Sequence, residues 1–183
     1  MRKIVASEFM SLDGVIESPE KWHFPYFNEE MAQAVGAQQA ASDAMLLGRQ
    51  TYQEFAAFWP NQEETEDEPA GFMNDTPKYV VSTSLDSTDE WQNSTLIKGN
   101  VAEELTRLKQ QPGKNIAIIG SAALVRSLLR DGLIDELQLL VHPIVVGSGK
   151  RLFADSEQVP LKLLDAKPFS NGVLLLTYGP AEK

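Results

Sequence analysis

Two apolar runs in this chain each stop on a glycine and pass straight into a helical pattern, and this junction restricts the fold more than any other feature. Ala44-Met45-Leu46-Leu47 ends at Gly48, and Asn115-Ile116-Ala117-Ile118-Ile119 ends at Gly120-Ser121. A short apolar run without polar alternation fits a strand buried on both faces, the usual state of a parallel strand covered by helices. After Ser121, Leu124, Val125, Leu128 and Leu129 recur at helical spacing. Further helices are predicted from the Asn28 cap, with Glu29 and Glu30 in its first turn, to about Ser42, from Thr51 to Phe58, and from Val101 to Gln110. Strands are predicted over Lys3 to Phe9, 78–83 and 95–98. After Gly132 the alternation gives way to strands alone. Ile134 to Val146 reads as one long strand, and Gly147-Ser148-Gly149 as a turn. Leu161 to Ala166 and Val173 to Tyr178 read as a hairpin around Ser170-Asn171-Gly172. This order predicts an α/β fold with a mostly parallel sheet, helices on both faces and antiparallel C-terminal strands.

The 183 residues suffice for one domain over 1–183 with a sizeable core. The absence of cysteine excludes disulfides, thiolate metal sites and cysteine nucleophiles. No metal site is expected. A net charge of −10 disfavours nucleic acid and anionic membranes as general partners. No segment has the roughly 20 apolar residues of a membrane span, and Glu8 interrupts the first apolar run too early for a signal peptide. The expected location is the cytoplasm. The acidic stretch 61–70 reads as a solvated loop.

Each glycine junction would present backbone N–H groups at a positive helix end, a seat for phosphate. At the first, Arg49 adds a cation, and Thr51 either caps the helix or donates to a phosphate oxygen. At the second, Ser121 is a cap or a donor, and Ala122 and Ala123 allow close approach. Ser82-Thr83-Ser84 could form a turn or hold a phosphate beside Arg49. No Gly-x-Gly-x-x-Gly follows the first strand and there is no P-loop. Trp22, His23, Phe24 and Phe27 form a cluster that is either core or a platform for a flat heterocycle. His142, in an apolar strand, reads as structural.

Several segments together resemble the dihydrofolate reductase-like superfamily, and most closely the reductase domain of bacterial riboflavin biosynthesis (the RibD C-terminal domain family). They are Ser11-Leu12-Asp13-Gly14-Val15-Ile16, Gly48-Arg49-Gln50-Thr51-Tyr52, Val81-Ser82-Thr83, Ile118-Ile119-Gly120-Ser121, and Pro143 through Gly149 to Leu152-Phe153. The resemblance implies a three-layer α/β/α domain, a homodimer joined through its C-terminal strands, and NADPH-dependent reduction of a small heterocycle or carbonyl. It implies that Gly48, Arg49, Gln50 and Thr51 bind the pyrophosphate and 2′-phosphate. Ser82 and Thr83 would flank the 2′-phosphate, and Gly120, Ser121, Ala122 and Ala123 would approach the pyrophosphate. Asp13 and Gly14 would lie near the nicotinamide ribose, and Gly147 and Gly149 near the substrate mouth with Trp22 and Phe27. Phe27 falls where true dihydrofolate reductases carry an acid. Asp13 and Glu30 are the remaining catalytic candidates, and a non-catalytic NADPH-binding sensor or structural dimer is the alternative.

Overall fold

A computed structural model describes residues 1–62, 70–120, 122–153 and 157–181. The order is β1 (Ile4–Ser11), α1 (Glu29–Ala40), β2 (Ser42–Gly48), α2 (Arg49–Phe58), α3 (Ala70–Asp75), β3 (Lys78–Val81) and β4 (Ser94–Ile97). Then follow α4 (Val101–Gln110), β5 (Asn115–Gly120), α5 (Ala122–Arg130), β6 (Glu136–His142), β7 (Leu161–Pro168) and β8 (Leu174–Pro180). The strands form one sheet in the order β4-β3-β2-β5-β1-β6-β8-β7. Strands β1 to β6 pair in parallel, and β8 is antiparallel to both β6 and β7.

The crossovers out of β1 and β2 run toward one edge of the sheet, and those out of β4 and β5 run back toward the other. Right-handed crossovers of opposite direction put their helices on opposite faces. On one face, Leu105 and Leu108 of α4 and Val125 and Leu128 of α5 pack on Ile4, Ala6, Leu46, Ile116, Ile118, Leu137 and Leu139. The other face carries two separate clusters. Tyr52, Met73 and Trp91 cover Met45, Leu47 and Val80, while Met31 of α1 packs with Leu140, Phe169 and Val173.

The local chemistry accounts for the elements. Asn28 Oδ1 accepts the Met31 N–H at 3.0 Å and starts α1. Val101, Leu105 and Leu108 give α4 its inward stripe, with Glu103 and Glu104 in its first turn and Arg107 and Lys109 in its last.

Several boundaries differ from the sequence expectation, β1 for one running on to Ser11, and four bear on the site or its surroundings. Helix α2 begins at Arg49 with Gly48 as its N-cap, so Thr51 lies inside the first turn and does not cap it. The strand expected over 78–83 ends at Val81. The strand expected over Ile134 to Val146 ends at His142. Pro143 has no N–H to continue a ladder, and Ile144 N–H turns back to the His142 carbonyl at 2.8 Å. Of the acidic stretch 61–70, residues 63–69 lie outside the described residues, and Ala70 opens the unexpected α3. Lys78 anchors this helix. Its ammonium is buried, donates to the carbonyls of Met73, Asn74 and Thr76 at 2.9 Å each, and stands 4.2 Å over the Trp91 ring.

Candidate active site

The sheet divides where its winding reverses. Strands β1 and β5 pair from Ile4 and Ile116 only as far as Ala6 and Ile118. Beyond that point β1 follows β6 as far as Ser11 and His142, whereas β5 follows β2 to Leu47 and Gly120. Crevices at such reversals, outside the carboxyl ends of the strands, are the usual ligand sites of open α/β sheets.

Here the gap opens into a cavity of about 310 Å³. The three core clusters meet in its wall: Ile16 and Ile118 from the α4/α5 face, Phe55, Phe72 and Ile119 from the α2/α3 cluster, and Phe9, Val35 and Leu140 from the α1 cluster. Ser7, Glu8, Gln38 and Gln39 supply the polar lining. Gln38 donates to Gln138 Oε1, which Ser7 Oγ also approaches at 3.4 Å. Phe9 is backed by the His23 ring, stacked at 4.1 Å between centroids. His23 Nδ1 and His142 Nε2 lie 2.9 Å apart, and His142 Nδ1 is 2.9 Å from the Leu140 carbonyl. That carbonyl only accepts, so His142 carries its proton on Nδ1 and His23 donates to Nε2. Burial, then the neighbouring His142, pushes His23 down to about 4, and burial also lowers His142. The histidine pair is a neutral structural support behind the cavity wall.

Glu8 is the site residue that the sequence reading passed over. One of its carboxyl oxygens is shielded from solvent and has no hydrogen-bond partner. Loss of solvation pushes the group up to about 8. The only signal in the sequence was a lone acid within the largely apolar first strand, read merely as the end of an apolar run.

The carboxylates singled out in the sequence do other work. Asp13 accepts from Ser11 Oγ and from the N–H groups of Val146 and Gly147, at 3.1 and 2.9 Å. The Ser11 hydroxyl first, then Gly147, pulls it down to about 2. It is a carboxylate at neutral pH and cannot act there as a proton donor. Glu30 accepts the backbone N–H of Ser170 at 2.9 Å and also its hydroxyl, and these bonds lower its pKa. Neither side chain lines the cavity.

Trp22 and Phe27 are also absent from the cavity wall. Trp22 packs edge-on against His142 and donates to the Glu17 carbonyl at 3.2 Å, while Phe27 is exposed and meets the edge of His23. Gly14, Gly147 and Gly149 are brought together with Asp13, as the segment 11–16 clamps the segment 144–152. Leu12 N–H bonds to the Ile144 carbonyl, Ile16 N–H to Lys150, and Leu152 N–H to Gly14. Gly147 and Gly149 have φ of +89° and +123°, which a side chain would strain.

The glycine junctions lie side by side, since Leu47 is in register with Gly120 and Gly48 with Val81. Among the described residues no side-chain cap bonds to the start of α2, where Gly48 stands as the N-cap. Arg49 is exposed and reaches Gln53 at 3.4 Å. Ser82 Oγ accepts from Ser84 and Leu85 N–H at 3.2 Å each, forming a turn at the end of β3, and Thr83 is exposed beside it. Ala122 and Ala123 begin α5, and Ser121 lies outside the described residues.

This strand order, with a cavity at the β1/β5 split, defines a dihydrofolate reductase-like α/β domain. A dihydrofolate reductase from Enterococcus faecalis complexed with NADP(H) has the same fold, with a TM-score of 0.65 at 14% identity over 98% of this chain and 97% of that one. A provisionally assigned riboflavin biosynthesis protein from Shewanella sp. PV-4 has a TM-score of 0.74 at 18% identity, covering 98% and 99% of the two chains. The chain belongs to the RibD C-terminal domain family, whose model matches residues 2–175. It is 35% identical over 139 residues to the uncharacterized protein YyaP of Bacillus subtilis (strain 168), covering 74% of this chain and 73% of that one.

Proposed function

We propose that this domain is an NADPH-dependent reductase that transfers hydride to a small heterocyclic or carbonyl acceptor held in the β1/β5 cavity. The observation that carries the reading is the position of that cavity, at the same end of the sheet as the two glycine junctions. A dinucleotide lying across β3, β2 and β5 would find the uncapped α2 N-terminus for its pyrophosphate. Arg49, with Ser82 and Thr83 at the next strand end, would meet the 2′-phosphate. Gly48, Gln50, Thr51, Gly120, Ser121, Ala122 and Ala123 would border the phosphates, and Asp13 would hold Gly14, Gly147 and Gly149 over the ribose and the mouth.

These residues fit the cofactor in chemistry: a helix start without a side-chain cap, the exposed Arg49 guanidinium, and small residues where the main chain must be approached. When bound, the reduced nicotinamide supplies the hydride. The chain's own share is to orient the acceptor and exclude water. Phe9, Phe55 and Phe72 give a flat ring apolar surfaces, and Ser7, Gln38 and Gln39 offer neutral hydrogen bonds. The alternative of a non-catalytic sensor drew on the lack of an acid in the site, and Glu8 supplies one.

Thermal denaturation with NADPH and with NADH tests the cofactor. NADPH at about 100 times its dissociation constant should stabilise by about 2.7 kcal/mol, and NADH at the same concentration by clearly less. No shift with either would sink the reading. Exposed Leu163 and Leu164 on edge strand β7 support a homodimer formed along that edge, which sedimentation of the protein and of a Leu163→Lys variant would test.

A further inference from the structure

Among the residues described around the cavity, one side chain alone is ionisable, and it is an acid. Glu8 lies two residues past Ala6, the last β1 residue in register with β5, so it stands where the sheet has parted. Among the described residues no lysine, arginine or histidine reaches the cavity from β1, α1, α2, α3, β5 or β6. The polar groups facing it, on Ser7, Gln38 and Gln39, are all neutral. A carboxyl with a buried, unpartnered oxygen and no cation nearby keeps its proton at neutral pH. In that form it is a hydrogen-bond donor aimed into an apolar space.

We propose that Glu8 is the proton donor of the reduction, and that the cavity takes an uncharged planar acceptor with no phosphate or carboxylate at its buried end. The proposal rests on the reductase reading above and adds to it the acid and the substrate class. Glu8 gives its proton to the nitrogen or oxygen of the acceptor's C=N or C=O group as that atom takes the π electron pair. The acceptor carbon receives the hydride from the reduced nicotinamide, which ends oxidised. The acceptor gains two electrons, one C–H bond and one N–H or O–H bond. Glu8 is left as a carboxylate and regains a proton from water once the product leaves. An anionic group in the same space would lose its hydration and meet a carboxyl without any compensating cation. Phosphorylated sugar derivatives are therefore excluded from the buried end, although a tail outside the cavity is not.

The test uses the NADPH-saturated protein and its Glu8→Gln variant, with quinoxaline and quinoxaline-2-carboxylate as a matched pair of probes. Binding is read by thermal shift, and turnover by cofactor oxidation with a panel of uncharged pteridines, quinazolines and simple carbonyls. At neutral pH quinoxaline should bind the wild type at least about tenfold more tightly than its carboxylate, because burial of the anion is uncompensated. That preference should rise as pH passes through about 8 and Glu8 ionises, and should stay flat in Glu8→Gln. Turnover in the wild type should fall about tenfold per pH unit above that point, and Glu8→Gln should be slower by about 100-fold or more with no such fall. The NADPH shift itself should be the same in both proteins. Glu8→Asp, a second variant should Gln disturb folding, should keep the pH dependence at a lower rate.

Equal binding of the two probes, or a Glu8→Gln variant with wild-type turnover, would overturn the proposal while leaving cofactor binding intact. Failure of every uncharged compound to be reduced would overturn it too. Absence of the NADPH shift in the wild type would instead remove the reading beneath it.

Discussion

Replacing Glu8 by Gln should change how stability depends on pH, whatever the substrate proves to be. Loss of solvation raises the carboxyl from its ordinary 4.5 to about 8 in the folded protein. Below about pH 4.5 the group is protonated in both folded and unfolded chains, and no stability depends on it. Between those values the unfolded chain ionises and the folded one does not, so each pH unit withdraws about 1.36 kcal/mol from the wild type. Above about pH 8 the loss is complete, up to about 5 kcal/mol, and nearer about 3 with water at the mouth of the cavity screening the charge. Gln has nearly the same shape and cannot ionise. Urea denaturation of both proteins at several pH values should therefore give similar stabilities near pH 5. By about pH 9 the variant should be ahead by about 3 kcal/mol. His23 and Lys78, whose pKa values burial lowers to about 4 and about 8, titrate in both proteins and cancel in the difference. A difference that stays constant from pH 5 to 9, within about 0.5 kcal/mol, would refute the claim that Glu8 is buried as an acid.

Arg49→Ala should weaken NADPH binding about ten- to a hundredfold, the loss of one charge-assisted contact, with little change for NADH; titration calorimetry checks the split. Asn28→Ala removes the α1 cap that Met31 N–H bonds to and should cost about 1 kcal/mol in a urea titration. Asp13→Asn should loosen the loop that its carboxylate holds through Val146 and Gly147, seen as faster amide exchange at those two residues. Because Asp13 is lowered to about 2, the wild-type contacts persist above its ordinary value of 3.8 and are lost as pH falls toward 2. His23 has a folded value near 4, below its ordinary 6.5, so the wild type should lose stability as pH falls through that interval. A His23→Phe variant should lose less over the same range, measured by thermal denaturation.

Much of the fold could be read from local pattern. Helix α4 spans the predicted Val101 to Gln110, since its apolar stripe, acidic start and basic end all agree. Glycine after an apolar run marked both strand-to-helix junctions. Boundaries failed where a distant contact decided them. Helix α3 depends on Lys78, which reaches back along the chain to its carbonyls, and no periodicity in a six-residue segment could announce that.

The site divides in the same way. Asp13, Gly14, Gly147 and Gly149 were recognisable as a motif, but the job of Asp13, holding Val146 and Gly147 amides 133 and 134 residues away, depends on a contact across the fold. Glu8 was hidden for a sharper reason. Whether an acid in a strand meets water, a cation or an apolar cavity depends on which strands lie beside it and where they part. The sequence by itself determined the parallel layered architecture and the glycines at the two strand-to-helix junctions, because both follow from neighbours a few residues apart. The tertiary structure alone decided that β1 and β5 separate after Ala6, and that separation leaves a carboxyl facing an apolar cavity.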